Sequence, residues 1–263
     1  MRNKTVHRNN IRVTILGSGT CVPSLRRSSC SLLMETGEEK MLFDCGPGTM
    51  RRLSEAGHGI TDITYIFLSH FHPDHSGELA SFLFANKYPD GTRRNRKLRL
   101  TGGKGIRSFF EKLKNLYGQW IEFPPDLFEI MERDNEADER ELSGFTLRTA
   151  RVVHNPESTA FRIETPAASA VYSGDTDFSE NLITLAKDTD LLICECALPD
   201  ALKVPGHLTP SLAGKIAAES RAKKLLLTHF YPQCDETDIV SQCRKNYTGP
   251  LVLAEDLMRL SVG

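Results

Sequence analysis

Apolar positions along this chain fall into two rhythms, and their alternation predicts most of the architecture. Short runs rich in β-branched and aromatic residues read as buried strands, among them IRVTILG (11–17), DITYIFLSH (62–70), RTARVVH (148–154), AVYSGDT (170–176) and KKLLLTHF (223–230). Between them lie stretches with apolar residues three and four apart. In HSGELASFLFANKY (75–88), for example, Leu79, Phe82 and Leu83 make one stripe on a helix. The first half then reads as a strand over 11–17, a hairpin over 30–44 turning at TGEEK, a helix over 48–57, a strand over 63–69, a helix over 77–87, a strand over 98–101 and a helix over 105–117. The second half gives strands over 127–131, 145–153, 158–164 and 169–173, a helix from 179, a strand over 190–196, a helix over 209–221, a strand over 224–228, a helix over 236–246 and a strand over 251–254. Two mixed sheets with helices on their outer faces absorb that order: a four-layer αββα sandwich of the α/β (α+β) class, in one domain over 1–263. No linker, low-complexity tract or repeat interrupts it.

Chemistry gathers at the predicted strand ends. SHFHPDH (69–75) crowds three imidazoles and a carboxylate just after the strand that ends near His70. Residues two apart at a strand end face the same way, so His70 and His72 can clamp one ion; past the turn at Pro73, Asp74 and His75 point to a second location. Three further strands deliver His154, Asp175 and His229 at their ends, where layered α/β domains build sites. A lone histidine there reads as a hydrogen-bonded structural residue. The seven together read as a site for two metal ions, with Asp175 as the bridging carboxylate and zinc as the metal that suits such donors.

An HxHxDH motif followed by a His, the Asp of SGDT and the His of LTHF resembles the metallo-β-lactamase superfamily over nearly the whole chain. Three stretches, ILGSGTCVPSLRRSS (15–29), LLICECAL (191–198) and GHLTPSLAGKIAAESRAKKLLLTHF (206–230), resemble its RNase Z-like phosphodiesterase branch more narrowly. The resemblance implies that His70, His72 and His154 hold one zinc, that Asp74, His75 and His229 hold the other, and that Asp175 lies between; Mn2+ or Fe2+ are the alternatives to zinc. It also implies a Glu195–His207 pair beside the metals. The local pattern agrees, since LLICECAL turns Cys194 and Cys196 to one side and Glu195 to the other, and His207, after the turn at Pro205 and Gly206, can reach the same cavity; without the resemblance Glu195 reads as a capping or solvated residue and His207 as a helix-entry residue.

The chemistry expected is metal-assisted hydrolysis. Two divalent ions about 3.5–4 Å apart lower the pKa of a bridging water, Glu195 keeps His207 charged, and Asp74 helps position or deprotonate the water. The branch's tRNA-processing enzymes usually carry a long arm between the third His ligand and the bridging Asp. Here STAFRIETPAASAVY (158–172) leaves room only for a hairpin. The expected partner is therefore a small phosphodiester of nucleotide type, with tRNA 3′ processing as the alternative. Lactonases, thioesterases and arylsulfatases share such ligand sets. A true β-lactamase usually has Cys where Asp175 stands, and iron redox enzymes of this scaffold usually replace one His of the first motif, whereas His72 is intact. A non-enzymatic nucleic-acid scaffold is opposed by the complete ligand set. The resemblance also suggests a homodimer.

Composition changes little in this picture. The 263 residues are 40% hydrophobic with a formal net charge of −1, enough for a two-sheet core and without the excess that announces a polyanion partner. The dense cationic run RRNRK (93–97), with Arg99 after it, reads as a solvated loop, and ERDNEADERE (132–141) as an exposed hairpin turn. GSGT (17–20) lacks the Lys of a nucleotide-binding loop and reads as a tight strand exit lining the cavity. Seven cysteines without a CxxC, a polar start (MRNKTVHRNN) and the lack of any run of about 18 apolar residues point to a cytoplasmic protein that does not span a membrane.

Overall fold

The computed structural model describes residues 10–88, 91, 93–133 and 137–263. Its first sheet contains β1 (Ile11–Gly17), β2 (Ser31–Thr36), β3 (Glu39–Phe43), β4 (Tyr65–Leu68), β5 (Leu98–Gly102) and β6 (Phe128–Glu132). The second contains β7 (Ala137–Leu142), β8 (Phe145–Arg151), β9 (Thr159–Glu164), β10 (Ser169–Tyr172), β11 (Leu191–Glu195), β12 (Leu225–Thr228) and β13 (Leu251–Leu253). A last strand, β14 (Arg259–Val262), returns to pair antiparallel with β1. The sheet orders are β14-β1-β2-β3-β4-β5-β6 and β13-β12-β11-β10-β9-β8-β7, each antiparallel in one half and parallel in the other.

Side-chain alternation assigns each face of a strand to its layer. In β4, Tyr65 and Phe67 turn into the core between the sheets, while Ile66 and Leu68 turn out under the helices. Phe43 stacks on Phe67 at 4.7 Å, and Phe161 from the other sheet meets both rings at 5.9 and 5.2 Å, joining the two sheets. Each fully buried ring of this kind contributes about 1.5–3 kcal/mol. Helices α1 (Thr49–Glu55), α2 (Pro73–Ser76), α3 (Leu79–Lys87) and α4 (Ile106–Tyr117) follow strands of the first sheet, with Leu53, Phe82 and Ile106 in its outer core. The second sheet is followed by α5 (Glu180–Leu185), α6 (Pro210–Glu219), α7 (Pro232–Asp235) and α8 (Ile239–Arg244), which bury Leu182, Ile216 and Ile239. The expected four-layer αββα sandwich is the observed fold.

Several local expectations change. Residues 137–142 form a strand rather than a turn. As an edge strand open to solvent, β7 needs no apolar alternation, and cross-strand polar pairs to β8 hold it, Arg148–Glu139 and Thr146–Glu141 both at 2.7 Å. Residues 134–136 of that acidic run, and 1–9 of the polar start, lie outside the described residues. The run 93–97 is not wholly solvated. Arg94 is buried, its guanidinium donating to Asn86 Oδ1 and to the carbonyls of Ile60 and Ile63, so one cation of the four works as an internal clamp. The helix expected over 236–246 is shorter, α8 alone, capped by Asp238 accepting from the Ser241 amide, and the single turn α7 precedes it unanticipated. Among the described residues no helix is long and apolar enough to cross a membrane.

Candidate metal centre

Parallel pairing sends β3, β4, β10, β11 and β12 to one edge of the sandwich, and there Asp44, the segment 69–76, Asp175, Glu195 and His229 end or follow them. β8 and β10 both run antiparallel to β9, so they point the same way and His154 arrives at that edge too. Pro73 opens α2 directly after His72, and the single turn of helix aims Asp74 and His75 away from His70 and His72. Gly46 is required beside it, because a Cβ there would collide with the Asp74 carbonyl.

All seven residues singled out from the sequence converge. His70, His72, His154 and Asp175 bring donor atoms within 4.8 Å of one another, and so do Asp74, His75 and His229. Asp175 faces both groups: Oδ2 lies 3.7 Å from His70 Nε2 and 4.0 Å from His154 Nε2, while Oδ1 lies 3.3 Å from the Nε2 atoms of both His75 and His229. His75 Nε2 and His229 Nε2 are 3.2 Å apart, and His72 Nδ1 is 3.3 Å from His154 Nε2. Bare imidazole lone pairs so close would repel. Ligands at 2.0–2.1 Å around a tetrahedral ion stand about 3.3 Å from each other, which matches these spacings. His70 Nε2 and Asp175 Oδ1 are buried with no hydrogen-bond partner, a state buried polar atoms rarely keep unless an ion or water claims them. The donor set fits a pair of small divalent cations.

Four of the five imidazoles are aimed by their other nitrogen, whereas His229 Nδ1 is buried with no hydrogen-bond partner among the described residues. His75 Nδ1–H donates to Asp44 Oδ2 at 2.7 Å, and His154 Nδ1–H to the Gly206 carbonyl at 2.9 Å. His70 Nδ1–H meets Ser69 Oγ at 3.0 Å, and that hydroxyl donates to Asp44 at 2.8 Å. His72 Nε2 lies 3.1 Å from the Asn155 side-chain amide, at the exposed rim. Asp44 therefore orients one histidine directly and a second through Ser69, and it also accepts from the Ser69 amide and the Tyr172 hydroxyl. It is fully buried with φ of 58°, in the left-handed region. The sequence reading missed Asp44; the available signal was an acid closing the apolar run of β3 immediately before Cys-Gly-Pro-Gly.

Electrostatics follow from this crowding. Burial, and then the charge on His75, push His70 well below an ordinary imidazole, so it is a neutral donor. Burial opposes ionisation of Asp74, yet the bond to His229 and the charge on His75 outweigh it and hold the carboxyl at about 2. Burial likewise opposes the charged form of Asp175, and His229 and His75 overcome it.

The structure brings Glu195 and His207 together. Glu195 Oε1 accepts from His207 Nδ1 at 3.0 Å and from the Thr176 amide at 2.8 Å, and Oε2 accepts from the Ala197 amide at 3.2 Å. Burial pushes the Glu195 carboxyl up and burial alone would lower His207, but a carboxylate taking three N–H donors keeps no proton of its own. The proton therefore rests on His207, whose pKa is raised by that bond. His207 Nδ1 is 3.9 Å from Asp175 Oδ2, and its ring stacks on His229 at 5.7 Å. Gly206 has φ of 84° and lies so near that a Cβ would stand 3.0 Å from His154 Nδ1. Asp177 takes the Gly206 amide at 2.9 Å and fixes the turn. Tyr231, not anticipated, places its ring 6.4 Å from His229 at the mouth of the site, with its hydroxyl 3.6 Å from the exposed Cys21 thiol.

The chain and its fold have relatives. The Mycobacterium tuberculosis protein Rv1339 is 30% identical over 92% of this chain and 89% of its own length. Among solved structures, the metallo-beta-lactamase fold protein YhfI of Bacillus subtilis superposes with a TM-score of 0.83 at 22% identity, over 96% of this chain and 99% of that one. The short form of human tRNase Z superposes with a TM-score of 0.78 at 25% identity, over 96% and 99%. The family model described as the metallo-beta-lactamase superfamily matches residues 25–229. A strand-end cluster of histidines and aspartates on this sandwich thus has one reading: the chain belongs to the metallo-β-lactamase superfamily, in its RNase Z-like branch, and is a metal-dependent hydrolase.

Proposed function

We propose that this hydrolase is a dinuclear zinc phosphodiesterase acting on a small phosphodiester, such as a cyclic nucleotide or a nucleotide ester. The observation that carries the reading is Asp175, whose two oxygens face two separate donor groups. In this reading His70, His72 and His154 hold one ion, Asp74, His75 and His229 the other, and Asp175 bridges; zinc suits the nitrogen-rich set, with Mn2+ or Fe2+ as alternatives. When bound, the ion pair supplies an activated water and positive charge for the phosphoryl oxygens. The chain's own residues do the rest. Asp74 accepts and orients a water proton, and imidazolium His207, held charged by Glu195, stabilises the extra negative charge that develops on the phosphoryl group.

The preference for a small substrate is supported by the segment between His154 and Asp175, which is a plain hairpin closed by Thr165 donating to Ala168 at 2.8 Å, with no protruding arm. Seven free thiols, six of them buried, support a reducing, cytoplasmic setting. A second reading, processing of tRNA 3′ ends, is favoured by the full-length likeness to human tRNase Z. Steady-state assays on bis(p-nitrophenyl) phosphate, a cyclic nucleotide and a precursor tRNA separate the two: small diesters are expected to be turned over at least as well, and a strong preference for the tRNA would overturn the ranking. In the same assay His207→Ala is expected to lower turnover by about 10²–10³-fold with both ions retained. Equal loss of metal and turnover would refute the role given to His207.

A further inference from the structure

Beside the two donor groups lie two rings not counted among their ligands, His207 and Tyr231, although His207 brings a ring nitrogen within 4.8 Å of donor atoms of Asp175 and His229. His229 adjoins both, its ring 5.7 Å from His207 and 6.4 Å from Tyr231. Two other phenols of this chain are spent on internal bonds. Tyr172 donates to Asp44 at 2.6 Å and Tyr247 to the Ala222 carbonyl at 2.8 Å, both buried. Tyr231 is half-buried, and among the described residues its hydroxyl meets a single partner, the Cys21 thiol at 3.6 Å, too weak an acceptor to use up a strong donor.

The backbone that carries this hydroxyl is pinned on every side. The Tyr231 amide donates to the Ala197 carbonyl at 3.0 Å and its carbonyl accepts from Cys234 at 2.9 Å. Phe230 bonds through its amide to the Ser18 carbonyl at 2.9 Å, and the guanidinium of Arg27 lies 4.7 Å over the Phe230 ring while its side chain holds Asp235 in a paired contact. The loop from Gly17 to Cys21 is thereby fastened to the segment that bears His229 and Tyr231. A donor fixed in place before a ligand arrives is what stabilises charge on a phosphoryl group at little reorganisation cost.

We propose that Tyr231 is a substrate-contacting residue, its hydroxyl donating to a phosphoryl oxygen opposite His207, so that the phosphate is gripped from two sides and the Cys21 loop forms the wall of its pocket. The assignment rests on the phosphodiesterase reading for its substrate but not for its test, which follows binding. Inorganic phosphate and AMP serve as probes on zinc-loaded protein. Cys21 is the exposed thiol among six buried ones, so N-ethylmaleimide should label it selectively, and either probe should slow that labelling in the parent chain. Tyr231→Phe keeps the ring against His229 and removes only the donor. It is expected to retain two ions per chain, to weaken phosphate binding by about tenfold or more, and to lower kcat on bis(p-nitrophenyl) phosphate by about 10–100-fold with a smaller change in KM. Unchanged phosphate affinity in Tyr231→Phe, or failure of both probes to protect Cys21 in the parent chain, would overturn the proposal. If phosphate binding depends on Tyr231 while no diester is hydrolysed, the clamp stands and the phosphodiesterase reading falls.

Discussion

The two donor groups share Asp175 but sit in unlike surroundings. Asp74, His75 and His229 form the sheltered group: His75 and His229 are buried, and His75 is locked to the fully buried Asp44. His70, His72 and His154 form the more open group: His70 is buried and reaches Asp44 through Ser69, but His154 is partly exposed and His72 is exposed and supported by Asn155 at the rim. The difference teaches that like ligand sets need not hold like ions. A ligand oriented by a buried carboxylate loses little freedom on binding, whereas a rim imidazole must be ordered and competes with water. The open group is the one that should exchange its ion readily and face the substrate.

The largest expected effect erases the contrast. Asp175→Ala removes the group common to both sides, and turnover should fall on the order of a thousandfold or more, with fewer than two ions per chain by elemental analysis. Retention of two ions would deny Asp175 its bridging place. Next, Asp44→Asn should make the sheltered group resemble the open one. It replaces an acceptor for His75, Ser69 and Tyr172 and should weaken the sheltered ion by about 10–100-fold in a chelator competition. It should also destabilise the fold by about 1–3 kcal/mol in chemical denaturation, because buried donors lose their partner. Unchanged affinity would show that packing alone orients His75.

The smallest effect concerns charge rather than metal. His207 is drawn down by burial from its ordinary 6.5 but raised more by Glu195, so its folded value lies above the unfolded one. The imidazolium, with the stability it brings, is fully present below the unfolded value and is lost as pH rises through the folded one. Glu195→Gln removes the raising partner and should move the alkaline limb of the kcat profile to lower pH, leaving both groups loaded. An unmoved limb would place the titrating group elsewhere.

Legibility in the sequence followed the same division between sharp and diffuse signals. The apolar runs of β4, β10, β11 and β12 are buried on both faces and therefore announce themselves, and with them the ligands at their ends. β7 and β14 escaped because an edge strand facing water carries no such run. Asp44 and Arg94 escaped for a related reason. A charged residue in a loop reads as solvated, and only the assembled fold shows the carbonyls, hydroxyls and imidazoles that compensate its burial. Tyr231 gave no signal, since its part depends on lying beside His229 rather than on any pattern around it.

The central claim is that the distant histidines and aspartates form one centre for two ions of unequal tenacity. Native mass spectrometry of zinc-saturated protein during a chelator titration tests it most directly. Two ions per chain at saturation, one leaving well before the other, is the result expected. A ceiling of one ion per chain would contradict it.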